Sequence, residues 1–85
     1  MILLTENEEK VYRVLMNHRD SMRETDKHGN VWFQVCTDQL PMPIGITRRQ
    51  IAGYLSSLER KGLYRKTDKF FGMVREATVR VAGRI

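Results

Sequence analysis

Apolar residues return at helical spacing along the first part of the chain, at Val11, Val14, Leu15 and Met22, with His18 on the same stripe. The spacing predicts an amphipathic helix over about residues 6–18, fraying on towards Glu24. Thr5-Glu6-Asn7-Glu8 reads as its capping box, with Thr5 accepting from the Glu8 N–H while the Glu8 carboxylate reaches back. The polar run Asp26-Lys27-His28-Gly29-Asn30 is turn chemistry. Beyond it, β-branched and aromatic Val31-Trp32-Phe33-Gln34-Val35 predicts a short strand, with Val31, Phe33 and Val35 on one face and Trp32 and Gln34 on the other. Thr37-Asp38-Gln39-Leu40 begins like a capped helix that Pro41 and Pro43 restrict to a turn or two.

The most strongly periodic segment follows. Thr47 is a good N-cap, and Ile51, Leu55, Leu58 and Gly62 fall on one stripe, with Gly62 closing the helix beyond Arg60 and Lys61. Leu63–Thr67 and Met73–Ala77 read as two strands around a hairpin loop at Asp68–Gly72, and Thr78–Val81 extends the second. Ile44, Ile46, Ile51, Leu55, Leu58 and Leu63 are the expected core of this half, with Gly45 allowing a sharp turn.

Charge changes the picture. The net charge is +5, but residues 47–85 carry ten Lys/Arg against three Asp/Glu, while residues 1–46 are slightly acidic. A basic half is the electrostatic footprint of a polyanion binder. At 85 residues, of which 41% are hydrophobic, the chain suits one globular domain and leaves no room for a separate sensor. The single cysteine, Cys36, cannot form an internal disulfide and fits a reducing compartment. With neither a signal-peptide pattern nor a long apolar run, a cytoplasmic protein is expected.

The stretch from Thr37 to Leu63 resembles the winged helix-turn-helix of bacterial transcriptional regulators. Thr37-Asp38-Gln39-Leu40 is similar to the start of that family's second helix and Ile44-Gly45-Ile46-Thr47 to its turn. Arg48 through Leu63 resembles its recognition helix and the Leu58-Glu59-Arg60-Lys61-Gly62-Leu63 exit into the wing. The resemblance implies an α+β fold with a three-helix core, a short strand and a C-terminal β-hairpin wing. It also implies sequence-specific binding of double-stranded DNA by a small regulator or accessory factor. Thr47, Arg48, Arg49, Gln50, Gly53, Ser57 and Arg60 would be the groove-facing residues, and Arg65, Lys66 and Lys69 the wing contacts. Two departures stand out: the prolines in the second helix, and Ala52-Gly53 where the family often places long base-reading side chains.

A homodimer is expected, through the first helix or segment 78–85, from the apolar surplus at Val79, Val81 and Ile85. Tyr54 is expected to pack with its hydroxyl at the rim, Phe70-Phe71 to place one ring in and one out, and Trp32 to cover the back of the sheet or a dimer contact. No paired-carboxylate site, nucleophile–base set, glycine-rich phosphate loop or metal motif is present, so neither catalysis nor a cofactor is expected, and no small-molecule ligand is evident. A protein-interaction module within a larger assembly is the rival reading, with RNA binding third.

Overall fold

A computed structural model of the chain describes residues 1–83. Its elements are β1 (Ile2–Leu4), α1 (Glu6–Asn17), β2 (Arg19–Thr25), β3 (Val31–Cys36), a 3-10 turn (Thr37–Gln39), α2 (Arg48–Arg60), β4 (Tyr64–Lys66), β5 (Phe71–Arg75) and β6 (Val79–Val81). Four strands form an antiparallel sheet in the order β2-β3-β5-β4, and β1 pairs with β6 in a parallel ribbon.

Among the described residues, an α+β arrangement of two α-helices and six strands overturns the expected three-helix winged helix-turn-helix. The physical reason lies between Thr37 and Thr47. Pro41 and Pro43 lack the N–H groups a helix needs and restrict the residues before them, so the helical start stops after a single 3-10 turn. The helix expected from Thr37 does not form, and α2 lies instead on α1 and β4. Arg19–Thr25, expected at most as a frayed helix end, is an edge strand whose seven side chains are all exposed.

Both helices are fixed by their caps. Thr5 Oγ1 accepts from the Glu8 N–H at 3.2 Å while Glu8 Oε1 accepts from the Thr5 N–H at 2.7 Å. Thr47 and Gln50 repeat the box at α2, at 3.3 and 3.0 Å. Gly62 ends α2 at φ +78°. Its N–H reaches the Glu59 carbonyl and the Leu63 N–H the Leu58 carbonyl, so two otherwise unpaired carbonyls are satisfied as the chain turns into β4.

Strand register sorts the sheet into two faces. Phe33, Val74 and Tyr64 are opposite one another and turn towards the helices; Gln34, Met73 and Arg65 share the other face. The core joins Leu4, Val11, Tyr12, Leu15, Phe33, Val35, Leu40, Ile46, Leu58, Leu63, Tyr64 and Val74. The Tyr12 hydroxyl donates to the Arg75 carbonyl at 2.6 Å and accepts from the Ala77 N–H at 3.2 Å, locking α1 to β5.

Three expectations about burial are corrected. Leu58 is fully buried whereas Leu55 is only half-buried, because α2 is rolled so that Leu55 faces the open side towards β4. Ile44 is 91% exposed rather than part of the core. Phe70 and Phe71 are both exposed, so neither ring closes the sheet. Val81 is buried and Val79 half-buried where they pair with β1; Ile85 lies outside the described residues.

Candidate functional site

Three ion pairs involve the described residues: Arg13–Glu9, Lys61–Glu8 and Arg65–Glu24. Arg48, Arg49, Arg60, Lys66 and Lys69 are all exposed and, among the described residues, have no carboxylate partner. The basic segment therefore presents unneutralised charge on α2 and on the adjacent β4–β5 hairpin. Arg84 lies outside the described residues.

On α2 the expected groove-facing residues separate into two groups. Arg49, Gly53 and Arg60 form an exposed line, with Ala52 and Ser56 beside it. Eleven residues at 1.5 Å rise place Arg49 and Arg60 about 16 Å apart along the axis. Between them the surface is poor in side chains. A Cβ built on Gly53 meets nothing within 4 Å, and its φ is not positive, so neither crowding nor backbone geometry requires glycine there. The other group is tied into the protein. Thr47 and Gln50 cap the helix, and the Arg48 guanidinium donates to the Leu40 carbonyl at 3.4 Å. Ser57, expected to point outward, is half-buried and donates its hydroxyl to Glu8.

Glu8 anchors this side of the helix. It is 4% exposed, and its carboxylate takes Lys61 Nζ at 2.6 Å, the Ser57 hydroxyl and the Thr5 N–H. Burial alone would raise its pKa. The hydrogen bonds from Lys61, Ser57 and Thr5 outweigh burial and bring it down to about 2 from 4.5. A carboxylate this acidic is a poor general base, and the cluster serves to hold α1 against α2. Above it, an open groove of about 490 Å³ is lined by Arg49, Gly53, Tyr54 and Arg60, among others. The Tyr54 hydroxyl accepts from Asn7 Nδ2 at 2.8 Å, and its ring is half-buried as expected. The sequence pattern marks Glu8 only as a capping residue. The i, i+4 pair Ser57 and Lys61 was the available signal for its second role.

The hairpin is divided in the same way. Lys66 and Lys69 border a second groove, of about 220 Å³, against Ala52, Leu55 and Ser56. The Lys69 ammonium lies 5.4 Å from the Phe70 ring centre. Arg65 points to the other face of the sheet, where it reaches Glu24 at 2.8 Å and lies over the Trp32 ring at 5.0 Å. Trp32 is nearly buried beneath it, and its Nε1–H donates to Asp26 at 3.0 Å. That bond, with those from Asn30 and His28, holds the Asp26 carboxyl well below the usual range. Arg65 therefore covers the outer sheet face, on the side opposite the groove that Lys66 and Lys69 border.

Among the described residues no three of His, Cys, Asp and Glu converge to hold a metal ion, and no helix is long and apolar enough to cross a membrane. The chain matches no protein-family profile, no curated protein and no solved structure.

Proposed function

We propose that the protein binds double-stranded DNA, with the Arg49–Gly53–Arg60 face of α2 entering a major groove and Lys66 and Lys69 meeting an adjacent phosphate. The observation that carries this reading is the combination on one helix face of unpaired cations at both ends and almost no side-chain bulk between them. A helix with ordinary side chains is about 10–12 Å across and the major groove about 12 Å wide. A face reduced to Ala52, Gly53 and Ser56 brings backbone close to base edges, and the terminal arginines can reach the flanking phosphates or a guanine edge. A small regulator or accessory DNA-binding factor in a reducing cytoplasm is the role this chemistry suits. The support comes from α2 and the hairpin themselves and no longer from a winged-helix architecture.

A protein-interaction role is favoured by a different surface, the outer sheet face and hairpin tip, where Met22, Phe70 and Phe71 are exposed. One titration separates the two. Anisotropy of a labelled random-sequence duplex, measured at several salt concentrations, should give log K falling with log salt at about −0.9 per phosphate contact. Four contacts from Arg49, Arg60, Lys66 and Lys69 correspond to a slope of about −3 to −4, and each alanine variant should reduce its magnitude by about one. Absence of binding at low salt would exclude the DNA reading and leave the apolar surface as the functional one.

A further inference from the structure

We infer that Ile44 is the residue through which the protein reads a thymine, by packing against the C5-methyl group in the major groove that α2 enters. The inference rests on the DNA-binding reading and adds to it a specificity contact. Leu40, Met42, Ile44 and Ile46 are apolar at every second position of the segment that leads into α2. Leu40 and Ile46 are 1% and 5% exposed, and Met42 packs on the core, but Ile44 is 91% exposed.

That exposure is built into the backbone. The Ile46 N–H closes a turn onto the Pro43 carbonyl at 3.1 Å, and Gly45, at φ +83°, supplies the left-handed position this turn requires. Lys10 Nζ donates to the Ile44 carbonyl at 3.3 Å, and Arg48 holds the Leu40 carbonyl at 3.4 Å. With Pro41 and Pro43 stiffening the same stretch, the isoleucine is held at the tip of a turn anchored on both sides. The turn leads directly through Thr47 into the first turn of α2. Residues at the N-terminal end of a groove-entering helix are those that meet base edges.

The surroundings indicate the ligand. Lys10 holds the Ile44 carbonyl, and Arg48 and Arg49 follow within five residues in the chain, an unfavourable setting for a wholly apolar partner and a favourable one for a polyanion. Within the major groove the exposed apolar group is the thymine methyl. A duplex enriched from a random-sequence pool by the wild-type protein should be resynthesised with each thymine replaced in turn by uracil, which lacks only that methyl. At one position the replacement should weaken wild-type binding about fourfold, the equivalent of one buried CH₂ group. Ile44→Ala should bind more weakly overall and be indifferent to the replacement, Ile44→Val should keep part of the discrimination, and both should unfold like the wild type. If uracil affects wild type and Ile44→Ala alike, or neither, at every position, Ile44 is not the reader, while salt-dependent binding of the enriched duplex would leave the DNA reading intact. If no duplex is enriched at low salt, both fall.

Discussion

Glu8 belongs to two elements at once, capping α1 and receiving Lys61 and Ser57 from α2, and its acidity has a consequence that can be measured. Its folded pKa, about 2, lies below the ordinary 4.5, so the stability it contributes is complete above pH 4.5 and is lost as the pH falls towards 2. Glu8→Gln should therefore be less stable than wild type at neutral pH, with a gap in denaturation midpoint that narrows across that acidic window. A gap that stays constant with pH would show that the carboxylate's charge is irrelevant. Two leucines on α2 make a second comparison. Leu58 is fully enclosed, so Leu58→Ala should cost about 2–5 kcal/mol, whereas half-buried Leu55 should lose clearly less. Coincident midpoints for the two variants would mean that α2 is rolled differently on the core.

Glycines within the elements give opposite expectations. Gly53 sits in the interior of α2 with open space around it, so Gly53→Ala should stabilise the protein by about 0.5–1 kcal/mol through helix propensity. If that face approaches DNA, the same substitution weakens binding, and a variant that is more stable yet binds worse separates the two effects. Gly72 in β5 is the reverse case. A Cβ there would overlap the Tyr64 ring on β4, so Gly72→Ala should destabilise by about 1–3 kcal/mol, read by thermal or chemical denaturation. How far such elements could be read from the sequence depended on whether burial left a period behind. The two helices carried both a cap and an apolar stripe, and β3 carried an alternation, so all three were legible to within a residue or two. β2 exposes every side chain and is bulged between Arg19 and Arg23, so no alternation marks it. The helix-turn-helix resemblance ran from Thr37 to Leu63; α2 forms as a helix, but the partner helix implied at Thr37–Leu40 is one that Pro41 and Pro43 do not allow. Of the candidate site, Arg49, Gly53 and Arg60 were legible as outward residues from the α2 stripe alone. Ser57 was not, because its partner Glu8 is distant in sequence. Nor was Ile44, because an alternating apolar run gives no sign that one member is turned out by the following glycine.

Across the whole molecule, the core is completed by residues from opposite ends of the chain. Leu4 is fully buried and Val81 is 4% exposed, and the two are partners in the β1–β6 ribbon. An isolated two-stranded ribbon is marginal by itself, so this one depends on α1, against which both β1 and β6 pack, and Leu4 and Val11 join one core. Val81→Asp should therefore unfold the domain cooperatively rather than fray one strand, and far- and near-ultraviolet circular dichroism should lose signal together. Survival of the β2-β3-β5-β4 sheet with only local loss would show that the ribbon is an appendage.

The parallel pairing of β1 with β6 also governs the order of events during synthesis. During synthesis β1 is made before β6, so Ile2-Leu3-Leu4 wait for their partner strand while the residues between the two are added. Until then β1 lacks its parallel partner, and the closure that pairs them spans the longest loop among the described strand pairings. Completion of the ribbon thus waits for β6, and the interval before it is when a holding chaperone would have the most to grip.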